Sequence, residues 1–152
     1  MNTPSTPGNR RLQLVCPAGN LPSLRAAVDG GADAVYIGLR DNTNARAFGG
    51  LNFDLASARE GVQYAHAHGA QVLLAINTYP QPRTWARWTD AIDTAVALGI
   101  DAVIVADAGL MRYARERHPG LRLHLSVQGS ATNYEAINFY HEHFGVKRAV
   151  LP

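Results

Sequence analysis

The chain has 152 residues, of which 47% are hydrophobic and 17% charged, and its formal net charge is +2. These values indicate one globular domain with a hydrophobic core and exclude an intrinsically disordered chain. The basic residues are scattered rather than clustered, which argues against a nucleic-acid partner, and a single cysteine, Cys16, excludes a disulfide framework.

The first eleven residues, MNTPSTPGNRR, are polar and rich in proline. They lack the apolar segment of a secretory signal peptide, so we expect residues 1–11 to be a disordered N-terminal arm on a cytoplasmic protein. No apolar run approaches the roughly 20 residues of a transmembrane helix, so we expect no membrane span. Residues 12–152 are expected to form the folded domain.

Short apolar runs rich in Val, Ile and Leu alternate with helical patterns along this domain. Several runs are apolar almost without interruption, which is typical of strands buried on both faces. The six predicted strands cover residues 12–16, 33–38, 71–77, 101–106, 122–127 and 148–152.

Five helices are predicted between these strands from apolar residues at helical spacing and from polar residues at their N-termini. Their expected starts are Pro22, Asp54, the residue after YPQPRT (79–84), Asp107 and Asn133. Asn20 is a candidate cap for the first helix. Gly99 and Gly145 are expected to end the third and fifth helices.

A weak internal repeat supports this βα organisation, because four segments share a helix end near glycine followed by an apolar strand. They are residues 30–38, 68–76, 98–106 and 144–152. Repeated βα units produce parallel strands joined by right-handed crossovers. An open doubly wound sheet and a (β/α)8 barrel both fit. Because the sequence stops on a sixth strand that no helix follows, we expect a partial (β/α)8 TIM-type barrel in a truncated chain.

In both architectures ligands bind at the C-terminal ends of the strands, so polar residues that follow the predicted strands are candidate ligand contacts. The predicted substrate-binding residues are Asn20, Arg40, Asn42, Asn44, Arg46, Asn77, Asp107 and Gln128. This set of amides and arginines suits a polar or anionic small molecule. Helix capping is an alternative role for Asn20, Asp107 and Asn133.

The connection after the second strand, LRDNTNARAFGGLNF (39–53), is unusually long. Loops of this length inside compact domains are usually functional or disordered, and we expect an ordered loop at the ligand-binding end. Its expected anchors are Leu39, Phe48, Leu51 and Phe53. Within it, Asn42, Asn44 and Arg46 are the expected ligand contacts.

No metal site and no catalytic residue is predicted. The histidine pairs 66/68 and 141/143 are spaced i, i+2, and such side chains point about 200° apart on a helix. The sequence contains no H-E-x-x-H motif, nucleophile elbow or Walker loop. Cys16 is interpreted as a small apolar residue rather than a reactive thiol.

Four segments resemble the collagenase-like U peptidase family. They are LVCPAGNLPSLRAAVDGGADAVYIGL (14–39), DNTNARAFGGLNF (41–53), AINTY (75–79) and HLSVQGSATNYEAINFYHEHFGVKRAVLP (124–152). The resemblance covers about residues 12–152. Residues 41–53 most specifically resemble the ubiquinone-biosynthesis branch of the family, the UbiU type.

This resemblance implies the N-terminal barrel portion of a factor for oxygen-independent ring hydroxylation in ubiquinone biosynthesis. It also implies a [4Fe-4S] cluster held by four cysteines, a homologous UbiV-like partner and prephenate as hydroxyl donor. Cys16 belongs to the N-terminal motif, so the cluster ligands are expected outside this chain. Protease activity is not expected, because no nucleophile–base pair is recognisable. Two alternatives stay open: RNA hydroxylation, and a non-catalytic barrel fragment that binds a partner.

Overall fold

The computed structural model describes residues 12–152, and the expected N-terminal arm of residues 1–11 lies outside the described residues. In the described part, no helix is long and apolar enough to cross a membrane. The strands are β1 (Val15–Pro17), β2 (Ala34–Gly38), β3 (Gln71–Ile76), β4 (Ala102–Val105), β5 (Arg122–Leu125) and β6 (Arg148–Ala149). The α-helices are α1 (Leu21–Asp29), α2 (Leu55–Ala67), α3 (Trp85–Leu98), α4 (Ala108–Arg117) and α5 (Tyr134–Phe144).

All six strands are parallel, and each pairs with the next one in the sequence. A doubly wound sheet reverses its strand order at a switch point, and the strands of residues 12–152 show no reversal. The two edges also approach each other, because the Arg148 guanidinium of β6 donates to the Gln13 side chain beside β1. The sheet is therefore a curled half-barrel, and the predicted partial TIM-type barrel is confirmed.

The main hydrophobic core lies between the outer face of the sheet and the helices. Outward-facing strand residues such as Val35 and Leu74 have no exposed surface, and neither do Leu24 and Ile92 on the helices that cover them. A smaller cluster of Ala34, Leu73 and Ala102, with Tyr36 and Ile104 packed against it, lies apart from this core on the concave face. Both faces of the central strands are thus buried, as their continuous apolar runs predict.

Four helices begin at the predicted polar caps. The side-chain oxygens of Asn20, Asp54, Asp107 and Asn133 each accept a hydrogen bond from the backbone N–H three residues later, at 2.9, 2.8, 2.7 and 3.0 Å. These bonds satisfy backbone donors that have no partner inside the helix. Gly99 and Gly145 end α3 and α5 with φ values of 77° and 65°, a conformation that favours glycine.

Three strand boundaries differ from the prediction by two or more residues. β1 begins at Val15 instead of residue 12, because Leu12 and Leu14 lie beside the sheet edge with 91% and 52% of their surface exposed. β5 ends at Leu125, since the Ser126 side chain accepts from the Gln128 N–H and starts a 3₁₀ turn. β6 ends at Ala149. Hydrophobicity alone does not reveal where a strand loses its neighbour.

Candidate functional site

A cavity of about 660 Å³ occupies the concave face and extends to the loops that follow the C-terminal ends of the strands. Its volume falls within the range of small-molecule binding sites. One register row crosses five strands and lines it throughout: Gly38, Ala75, Ile104, His124 and Arg148. The first two residues of this row have small side chains, and the Asn44 side chain of the long loop occupies the space over Gly38.

The charged side chains that line the cavity are positive. Among residues 12–152, the lining contains Arg46, Arg148 and His124 but no aspartate or glutamate. Apolar side chains, among them Phe48 and Leu51, form most of the remaining wall, and amide and hydroxyl groups complete it. A concave site with guanidinium groups and no carboxylate attracts anions. An anionic small molecule with an apolar body therefore matches this lining.

The long loop, residues 39–53, is closed at its base. Leu39 and Phe53 form a parallel β-bridge, and both are buried, with 7% and 1% of their surface exposed. The backbone bonds Phe53 N–H to Gly38 O (3.0 Å) and Arg40 N–H to Phe53 O (2.9 Å) complete this base. The two end residues therefore anchor the loop to the barrel, as predicted.

The other two predicted anchors lie outside the core, although Leu51 packs over Gly19 after β1. Phe48 is 62% exposed and Leu51 is 41% exposed, and both line the cavity instead of entering the core. The middle of the loop is ordered by buried polar residues, namely Thr43, Asn44 and Asn52. Buried polar groups of this kind stabilise a loop only when they are hydrogen-bonded, and all three are.

Neighbouring strand ends hold the loop as well. The Asn77 side chain after β3 accepts from the Ala45 N–H at 3.0 Å, and the Thr78 N–H donates to the Thr43 carbonyl at 3.2 Å. The Thr78 hydroxyl donates to the Asn42 carbonyl at 2.7 Å. The Asn77 amide, a predicted ligand contact, thus also accepts a hydrogen bond from the loop backbone.

Arg46 is the cation that this loop presents to the cavity. Its Nη1 donates to the Tyr36 hydroxyl at 3.2 Å, and its side chain forms no ion pair with a carboxylate within residues 12–152. Arg40, by contrast, lies 3.9 Å from the Asp54 carboxylate. Arg46 therefore remains available to an external anion.

The structure brings together half of the predicted substrate-binding residues. Asn44, Arg46, Asn77 and Gln128 line the cavity, whereas Asn20, Arg40, Asn42 and Asp107 do not. Asn20 and Asp107 cap helices, and Arg40 donates to the Asn52 carbonyl at 3.2 Å on the outer side of the loop. The Asn42 side chain accepts from Arg87 at 2.6 Å. Binding by the four cavity residues stays a prediction.

Several cavity residues were missed by the prediction from strand ends. They are Tyr36, Asn52, His124, Ser126 and Arg148. Tyr36 and His124 interrupt apolar strands with polar groups at inward-facing positions, which is the signal that could have found them. Arg148 had no such signal, because its place depends on the curl that brings β6 near β1.

His124 is buried in the wall of the cavity, with 5% of its surface exposed. Burial, and then the nearby Arg148 and Arg122 guanidinium groups, lower the pKa of His124 from its ordinary value of 6.5 to about 4. The side chain is therefore neutral at physiological pH, and it adds no charge beside the arginines.

This burial predicts an acid sensitivity of the fold. Above pH 6.5 the histidine is neutral in both states. Between pH 6.5 and 4 the unfolded chain binds a proton that the folded chain does not. The free energy of unfolding therefore decreases as the pH is lowered through this range, by up to about 3 kcal/mol. Urea unfolding at several pH values measures it. His124→Gln is expected to remove this part of the pH dependence. If the free energy of unfolding changed with pH equally in both proteins, His124 would not be the cause.

The remaining histidines of the described region lie outside the cavity. His66 and His118 contact the Asp101 and Asp93 carboxylates at 2.9 and 2.6 Å. The bond from His118 lowers the pKa of Asp93. Within residues 12–152 no group of three or more side chains is placed to bind a metal ion. A [4Fe-4S] cluster needs four cysteines, and Cys16 is the single cysteine of the sequence, so this chain's residues do not fit one.

Comparison with known proteins identifies the family. The model of Peptidase family U32 matches residues 19–152. The chain is 39% identical to the Uncharacterized protease MJ0090 of Methanocaldococcus jannaschii, over 92% of this chain and 33% of that protein. It is 33% identical to tRNA hydroxylation protein P1 of Bacillus subtilis, over 93% of this chain and 33% of that protein. The chain thus spans about a third of the length of these relatives.

A solved structure agrees with the fold. The U32 peptidase Mk0906 superimposes with a TM-score of 0.74 at 15% identity, over 98% of this chain and 62% of that chain. At this identity the likeness concerns the fold alone. The family model, by contrast, matches most of the sequence. The chain therefore belongs to peptidase family U32.

Proposed function

We propose that this chain is the N-terminal barrel portion of a UbiU-type factor for oxygen-independent ring hydroxylation in ubiquinone biosynthesis. The observation that carries the proposal is the carboxylate-free cavity that Arg46 faces at the long loop. That loop is also the segment that most resembles the UbiU branch. The name of the Bacillus subtilis relative, a tRNA hydroxylation protein, supports hydroxylation as the type of reaction.

In this proposal the chain binds and orients a small anionic molecule. The Arg46 and Arg148 guanidinium groups contact its carboxylate, and Phe48 and Leu51 pack against its apolar body. Asn77 and Gln128 supply amide groups for orientation. Neutral His124 leaves the positive charge of the wall to the two arginines.

The redox chemistry lies outside these residues. We propose that the [4Fe-4S] cluster implied by the resemblance is held by cysteines outside this chain, and that a homologous UbiV-like partner joins the full protein. This division assigns substrate positioning to the barrel and electron transfer to the cofactor.

RNA hydroxylation is the second candidate, and the name of the Bacillus subtilis relative favours it. A single extruded nucleotide also combines an anionic phosphate with a flat aromatic base, which the cavity would also accommodate. The scattered basic residues argue against an extended RNA-binding surface on this part of the protein. The two candidates therefore differ in the substrate, not in the type of reaction.

The experiment is deletion of the encoding gene in its host, followed by anaerobic growth with and without the plasmid-borne gene. Ubiquinone is measured by chromatography, and hydroxylated nucleosides of tRNA and rRNA by mass spectrometry. The proposal expects ubiquinone to be lost and restored, with unchanged nucleosides. Loss of a hydroxylated nucleoside at normal ubiquinone content would replace it with RNA hydroxylation.

A further inference from the structure

The main chain of Arg46 is held on both of its polar groups by two buried asparagine side chains. The Asn52 Nδ2 donates to the Arg46 carbonyl at 2.8 Å, and the Asn44 Oδ1 accepts from the Arg46 N–H at 3.1 Å. The two amides also bind each other, because the Asn44 Nδ2 donates to the Asn52 Oδ1 at 3.2 Å. We call these two side chains the amide clamp.

The amide clamp is fixed to the barrel at two points. The Asn52 N–H donates to the Gly19 carbonyl, after β1, at 2.6 Å. The Asn44 side chain lies directly over Gly38 at the end of β2, where an added Cβ would be 1.9 Å from its Nδ2. The position of the Arg46 backbone is therefore determined by two neighbouring strand ends.

Asparagine is chemically suited to the position of Asn52. Its φ of 76° lies in the left-handed region, which asparagine tolerates better than most residues with a side chain. Its short amide provides both the donor that binds the Arg46 carbonyl and the acceptor that binds Asn44. Glycine would keep the backbone conformation and remove both bonds, so Asn52→Gly isolates the side chain.

An arginine whose backbone is already ordered binds an anion more tightly than one on a mobile loop. If its backbone were free, binding an anion would require the loop to become ordered, and that loss of entropy would weaken the complex. Arg46 has no carboxylate partner in residues 12–152 that would orient it otherwise. The amide clamp therefore fixes the base of the one side chain on this loop that carries positive charge into the cavity.

We propose that Asn52 is a positioning residue for anion binding, acting through Asn44 and the Arg46 backbone to hold the Arg46 guanidinium over the cavity. This inference rests on the proposed function only in treating the cavity as an anion site. It does not depend on which molecule is hydroxylated. The competing role for Asn52 is loop stability without any influence on Arg46.

Benzoate is a suitable probe, because it combines a flat ring with one carboxylate, and benzamide is its neutral counterpart. Calorimetric titration of the intact protein is compared for the native chain, Arg46→Ala, Asn52→Gly and the double variant.

Each single change is expected to weaken benzoate binding about tenfold. The double variant is expected to bind no more weakly than Arg46→Ala, and benzamide binding is expected to stay unchanged throughout. Asn138→Ala, an exposed asparagine on α5, serves as the control with native affinity.

Native benzoate affinity in Asn52→Gly would overturn the inference, and so would losses that multiply in the double variant. Thermal unfolding of each variant shows whether it is folded. If Asn52→Gly does not fold, Asn44→Ala breaks the amide clamp from the other side and is expected to give the same non-additive pattern with Arg46→Ala. A native protein that binds benzoate no better than benzamide would reject the anion site itself, whereas additive losses would reject only the positioning role.

Discussion

Replacing Phe53 with alanine is expected to lower the free energy of unfolding by about 3–5 kcal/mol. The Phe53 side chain is 1% exposed and closes the base of the long loop through its bridge to Leu39. It also reaches α2, where its ring lies 3.7 Å from the position of a Cβ added to Gly61. The substitution removes apolar contacts and leaves a cavity under the loop. Urea unfolding measures the change.

The matched control is Phe48→Ala in the same loop. Its side chain is 62% exposed, so its removal is expected to change the free energy of unfolding by less than about 0.5 kcal/mol. Equal effects of the two substitutions would contradict the conclusion that the loop is anchored at its ends and not in its middle.

The second large effect is expected from Gly38→Ala. The new Cβ would lie 1.9 Å from the Asn44 Nδ2 and 2.5 Å from its Cγ, so the buried amide must move. Overpacking of this kind costs about 1–3 kcal/mol. Displacement of Asn44 also breaks the amide clamp, and we therefore expect benzoate binding to fall about tenfold, as for Arg46→Ala. Urea unfolding and calorimetric titration measure the two losses.

Gly49→Ala is the corresponding control, because no atom of the described residues lies within 4 Å of an added Cβ and the residue does not have a positive φ. Native stability and native benzoate affinity are expected for it. If Gly38→Ala also had native stability and native benzoate affinity, Asn44 would not occupy the position over Gly38.

Much of the fold followed from local patterns in the sequence. Continuous apolar runs separated by capped helices predicted six parallel strands, and the caps at Asn20, Asp54, Asp107 and Asn133 were located correctly. The start of β1 was not, because an edge strand loses its partner on one side and hydrophobicity does not report that loss. The repeat predicted parallel strands but not their order, which the structure shows directly.

The candidate site was less accessible to prediction. An asparagine at a strand end can cap a helix, satisfy a loop backbone or contact a ligand, and Asn20, Asn44 and Asn77 show that position alone does not separate these roles. Phe48 and Leu51 were misassigned because the exposed wall of a cavity and a core position require the same apolar residues. Arg148 joins the site through the curl of the sheet, a tertiary effect that no local pattern carries.

In the proposed function, Arg46 binds the anionic molecule on which hydroxylation depends. This role is tested most directly by the rate of anaerobic ubiquinone synthesis in a deletion strain that carries the full gene with Arg46→Ala, compared with Arg59→Ala, an exposed arginine on α2. Loss of a charge-assisted contact predicts a rate about ten- to hundredfold lower for Arg46→Ala and a native rate for Arg59→Ala. Equal, native rates in both strains, at equal protein levels, would exclude this role for Arg46.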